Sequence, residues 1–132
     1  MEDLFTRGID EFNRQYFFEA HDLWEELWMS EGLLAEETTS GHRLFYQGLI
    51  QTAVGFYHLS NENFNGACSQ FGKALAKLEQ YLPSFHGINT LHLVDNVRIC
   101  LTDAEYLRLG REGTFDESRI PQIVWDEEGA KA

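Results

Sequence analysis

Apolar residues in this chain recur mostly three and four positions apart rather than two, a spacing that predicts helices and not strands. The first helix is expected over residues 3–13, with Leu4, Phe5, Ile9 and Phe12 along one side. The second is expected over residues 16–29, after a turn at Arg14 and Gln15. Residues 30–39 are polar, acidic and glycine-containing, so they read as a loop ahead of a long third helix over residues 40–59. Ser60, Asn61, Glu62 and Asn63 mark the next turn. A fourth helix is expected over residues 64–81, stopped by Pro83, and a fifth over residues 90–110, with Asn89 or Thr90 as its cap. The fold class is therefore all-α, a compact bundle of about five helices. It is expected to occupy residues 1–112, followed by an irregular tail over residues 113–132 whose Ile120, Ile123 and Trp125 are placed to dock on the body.

The chain also matches itself at an offset of 47 residues. Gly8, Phe12, Phe17, Ala20, Trp24 and Leu27 align with Gly55, Leu59, Phe64, Ala67, Phe71 and Ala74. Small residues that admit close helix approach, alternating with aromatics that fill the space between, resemble the tetratricopeptide repeat. The offset is longer than that repeat's period of about 34 residues, and two units cannot build its extended groove, so the expectation is a tetratricopeptide-like helical hairpin arrangement.

Composition narrows the function classes. A hydrophobic share of 43% over 132 residues is enough for one core. The formal net charge is −12, and residues 1–62 hold 12 acidic against 3 basic side chains, so the excess lies in the amino-terminal half. Such a surface repels phosphate backbones and anionic lipid heads, which argues against nucleic acid and membrane partners. No apolar run is long enough to span a bilayer, and the opening Met1-Glu2-Asp3-Leu4 lacks the regions of a signal peptide; a cytoplasmic protein is expected. In that compartment Cys68 and Cys100, each inside a helical pattern, read as core thiols rather than a disulfide.

Candidate chemistry sits on the second helix. At about 100° per residue from Phe17, the acidic residues Glu19, Asp22 and Glu26 share a solvated face, while His21 at about 40° and Glu25 at about 80° fall between Trp28 at about 20° and Phe18 at about 100°. Burying a lone carboxylate is expensive, so Glu25 either reaches solvent at the edge, takes a proton, or meets His21 one turn away. The pair then either acts, as general acid and base or as ligands to a divalent metal, or locks the helix onto the bundle. On the third helix Gln47, Gln51 and His58 form a narrow polar stripe with Arg43 at its edge. Facing the second helix, the stripe would let His58 complete a metal set with His21 and Glu25, with Gln47 and Gln51 around it; facing water, it is only the outer side of that helix. His42, His86 and His92 lie near helix starts or in a loop and are weaker candidates. There is no His-Glu-x-x-His, glycine-rich phosphate loop or Cys-x-x-Cys, and each absence removes a reaction class.

The run from Phe12 to Trp28, carrying His21, Glu25 and Trp28 as His-x-x-x-Glu-x-x-Trp, resembles the signature of the family called domain of unknown function 309. A second block, Gln47-Gly48-Leu49-Ile50-Gln51-Thr52-Ala53-Val54 continuing through His58 to Asn65-Gly66-Ala67, strengthens the resemblance, which with Gly87-Ile88 covers about residues 5–101. It implies a compact helical fold and a His–Glu pair that binds metal; it implies no activity.

Two functional readings stand. The favoured one is a protein-interaction or scaffold module with a structural His–Glu pair and an acidic face for a basic protein partner. The alternative is a metal-binding protein or metal-dependent hydrolase using His21 and Glu25. Phe115, Ile120, Ile123 and Trp125 also offer a contact for a second copy, a homodimer.

Overall fold

The computed structural model describes residues 3–34 and 40–126. Five α-helices follow one another: α1 (Leu4–Asn13), α2 (Phe17–Leu34), α3 (Ser40–Ser60), α4 (Phe64–Leu78) and α5 (Thr90–Arg108), and no strand is formed among the described residues. Each helix packs mainly against the next in sequence, α1 on α2, α2 on α3, α3 on α4 and α4 on α5. None of the described helices is long and apolar enough to cross a membrane.

Polar caps set the starts. Asp3 accepts a hydrogen bond from the Thr6 N–H at 2.7 Å, Asn63 from Gly66 at 3.0 Å and Asn89 from His92 at 3.0 Å, each satisfying a backbone donor that the first turn leaves without a partner. The hydrogen bond at Asp3 also holds its carboxyl below the usual carboxylate range. The apolar stripes that follow meet in one core whose largest fully buried side chains include Trp24, Phe12, Phe45, Phe56 and Phe71.

Three boundaries differ from the sequence reading. Helix α2 continues to Leu34, past the loop expected from residue 30, because Gly32 is followed by Leu33 and Leu34 and no proline interrupts the chain. The rest of that loop, residues 35–39, lies outside the described residues. The fourth helix is α-helical only to Leu78 and tightens into a 3₁₀ turn over Glu79–Tyr81. The fifth closes at Arg108, two residues before Gly110 takes a left-handed φ of 79°.

The 47-residue repeat is visible in the backbone. Gln15 and Glu62, one offset apart, are both left-handed, at φ 67° and 59°. The hydrogen bond from the Tyr16 N–H to the Glu11 carbonyl, 2.9 Å, has its counterpart from Asn63 to His58, 2.8 Å. The pair α1–α2 and the pair α3–α4 thus turn in the same way. They also pack in the same way: a Cβ on Gly8 would lie 2.1 Å from Trp24 Nε1, and one on Gly55 would lie 2.5 Å from the Phe71 ring. Glycine is needed at both positions because an aromatic ring occupies the space of a side chain. This glycine–aromatic repetition is compatible with a tetratricopeptide-like arrangement.

After Arg108 the chain returns across the bundle through a 3₁₀ turn over Glu117–Arg119. Asn13, at the end of α1, donates to the Ile123 carbonyl at 2.9 Å and accepts from the Ile123 N–H at 2.7 Å. Ile123, expected from sequence to dock on the body, is 2% exposed in the chain's own core, and Phe115 and Ile120 pack half-buried against that core, while Trp125 is 38% exposed. Both cysteines are free, Cys100 buried and Cys68 half-buried.

Candidate functional site

Helix α2 presents its packed side along Phe17, Ala20 and Trp24, all buried. His21 stands at the edge of this stripe and Glu25 lies outside it: their side chains are 23% and 50% exposed. The sequence reading set the pair deeper because it counted Phe18 as part of the apolar side, and Phe18 is itself 50% exposed. The packed stripe is narrower than the apolar pattern, and Glu25 escapes the cost of burial by reaching solvent.

The pair is formed. His21 Nε2 lies 2.8 Å from Glu25 Oε2, the i, i+4 contact that the spacing allows, and His21 Nδ1 lies 3.3 Å from Asp22 Oδ1. Both ring nitrogens therefore face carboxylate oxygens.

The polar stripe of α3 meets α2 at both ends. At one end Arg43 Nε donates to the Trp28 carbonyl at 3.3 Å, and its guanidinium lies 3.9 Å above the Trp28 ring. Trp28, carried forward as a signature residue, thus anchors α3 to α2, and Arg43, noted in sequence only at the stripe's edge, supplies the other half of the clamp. At the other end His58 shares a solvent-facing recess of about 180 Å³ with His21, Phe17, Phe18, Val54 and Tyr57. Gln47 and Gln51 lie between the two ends, half-buried, and Gln51 Oε1 is buried without a hydrogen-bond partner among the described residues.

His58 has a defined tautomer. The Asn63 side-chain oxygen is committed to the Gly66 N–H, so the Asn63 amide nitrogen, 3.2 Å from His58 Nδ1, is the donor and Nδ1 the acceptor. In the neutral ring Nε2 then carries the hydrogen. The structure brings His21 and His58 to one recess, but Glu25 does not line it. Among the described residues no group of three or more His, Cys, Asp or Glu side chains is placed to hold a metal ion. Of the weaker candidates, His42 and His86 stack edge to face 5.2 Å apart beside Phe5 and Phe85, and His92 is exposed in the first turn of α5.

The comparisons with known proteins bear on this geometry. Residues 5–69 match the family model described as domain of unknown function (DUF309). The resemblance read from the His–Glu–Trp signature is thereby shown over α1, α2, α3 and the beginning of α4, the segment that holds His21, Glu25, Trp28, Gln47, Gln51 and His58. The DUF309 match ends at Ser69, so the extension of the resemblance to about residue 101 rests on the sequence reading alone. No curated protein matches the chain.

Proposed function

We propose that this DUF309 chain is a protein-interaction module that docks a basic segment of a protein partner, with an aliphatic anchor, in the recess between α2 and α3. The observation that carries this reading is the recess itself: an apolar pocket open to solvent whose rim residues, Phe18 and Tyr57, are 50% and 42% exposed. Exposed aromatic rings around an apolar pocket are a feature of binding surfaces. Charge supports the class of partner. Glu19, Asp22, Glu25 and Glu26 are exposed on the same helix, and α2 contains no lysine or arginine, so a basic segment would be steered toward it.

In this reading the His21–Glu25 pair is a latch that fixes the rim of the recess, and the helical domain over residues 1–112 presents it, followed by a tail whose Ile123 is held by Asn13. The metal reading has less support, because Glu25 does not line the recess that His21 and His58 share and, among the described residues, no group of three or more His, Cys, Asp or Glu side chains is placed to hold a metal ion.

The test is a titration of the isotope-labelled chain with a leucine-containing peptide flanked by Lys and Arg, beside the same peptide with acidic flanks. The basic peptide is expected to shift the amides of Phe18, His21, Tyr57 and His58, to weaken with salt, and to lose binding to the Phe18→Ala, Tyr57→Ala double variant. Equal binding of the acidic peptide, or no effect of the double variant, would overturn the reading. A parallel zinc titration that perturbs the His21 and His58 rings at stoichiometric metal would favour the metal reading instead.

A further inference from the structure

A second and larger cavity lies where the two repeats meet. The equivalent turns at Gln15 and Glu62 open on the same space, of about 350 Å³, and the segment after Gly113 closes its far side with Phe115 and Glu117. That volume lies at the lower end of the range for small-molecule sites, about 300 to 1,000 Å³. Phe17 and Phe64, one repeat offset apart, and Phe115 contribute aromatic surface, and Glu62 and Glu117 contribute two carboxylates. Among the described residues no lysine, arginine or histidine lines it. Neither carboxylate has an ion-pair partner among the described residues, whereas nearby Arg119 is committed to Asp103 at 2.9 Å.

We infer that this cavity binds a small organic ammonium ion carrying an apolar body. An anion is excluded by two unneutralised carboxylates at the wall. The ammonium finds those carboxylates, further acceptors in Gln15, Ser60 and Thr114, and aromatic side chains in the lining. The apolar body takes the place of water against Leu59 and Ile120. This site is separate from the α2–α3 recess and does not depend on a protein partner there; Phe17 is the wall common to both.

The experiment uses the full chain and three probes of similar shape: 2-phenylethylammonium, neutral 2-phenylethanol and anionic 3-phenylpropionate, followed by calorimetry and amide shifts. The ammonium is expected to bind, with shifts at Gln15, Glu62 and Thr114, and to bind at least about tenfold more tightly than the alcohol. The anion should not bind. Glu62→Gln and Glu117→Gln, both at exposed side chains, should each weaken the ammonium by about threefold to tenfold without moving the unfolding midpoint. The inference is overturned if the alcohol binds as tightly as the ammonium, since the cavity would then be an apolar hole only. Ammonium shifts confined to Glu19, Asp22 and Glu26, or no shift at millimolar probe, would overturn it as well.

Discussion

Gly8 and Trp24 hold α1 and α2 together more closely than a side chain at position 8 would permit. The indole ring covers Gly8 so closely that a Cβ there would stand 2.1 Å from Nε1, and the same N–H donates to the Phe5 carbonyl at 3.2 Å. Gly8→Ala must displace a fully buried tryptophan and its hydrogen bond, so a loss of about 3 kcal/mol or more is expected. Gly55→Ala, facing Phe71 at 2.5 Å, should cost a comparable amount, of order 2 to 3 kcal/mol. Gly72→Ala, on the outer face of α4 with nothing within 4 Å, should instead stabilise by about 0.5 to 1 kcal/mol. Urea unfolding of the three variants checks the contrast, and an equal response at all three positions would refute it.

The same relationship shows how much was legible in the sequence. Gly8 with Trp24 and Gly55 with Phe71 were aligned by the 47-residue offset, so the two hairpins were readable, as were the helix starts at Asn63 and Asn89, because small residues, large residues and caps each leave a local mark. Depth was less readable. A helical wheel assigns Phe18 and Trp28 to one apolar side, but only packing decides that Phe18 faces solvent while Trp28 receives Arg43. The Asn13–Ile123 contact was invisible for a related reason: it joins residues 110 positions apart, and an asparagine near a helix end reads simply as a turn residue.

That contact makes its own prediction. Asn13 is the carboxamide that pairs with both backbone groups of Ile123, so Asn13→Ala leaves a buried N–H and C=O without partners at a cost of about 1 to 3 kcal/mol. Asn13→Asp keeps the acceptor and loses the donor, and an intermediate loss is expected. Hydrogen exchange at the Ile123 amide should accelerate more than exchange in α3. Unchanged protection at Ile123 would show that burial alone holds the tail.

The half-exposed position of His21 and Glu25 limits what the pair contributes to stability. Exposed ion pairs are worth less than about 1 kcal/mol, so His21→Ala should lower stability by no more than that. The expected effect is on the recess: amide shifts should spread to Phe18 and Tyr57, whose rings lie 5.7 Å apart, tilted at 52°, beside it. A loss of 3 kcal/mol or more on thermal unfolding, the cost of breaking a buried pair, would contradict the placement at the edge.

Cys100 supplies a pH dependence whose sign follows from its surroundings. Burial, with the nearby Asp103 charge adding to it and Arg119 opposing it, pushes the thiol from 9.0 up to about 12. Its S–H also donates to the Arg119 carbonyl at 3.5 Å, a bond the thiolate cannot make. The folded protein therefore keeps this proton when the unfolded chain has already released it. The contribution to stability is complete below about pH 9 and is lost as pH rises toward about 12. Urea unfolding from pH 7.5 to 10 should show a steeper decline for the parent chain than for Cys100→Ala, in which the linked proton is gone. Native alkylation should follow the same order. Cys68, whose thiol is raised by burial and then by the Glu105 charge, is half-buried and should react with iodoacetamide before Cys100 does. Parallel pH slopes for the parent and Cys100→Ala would mean that other titrating groups, and not this thiol, set the alkaline limit.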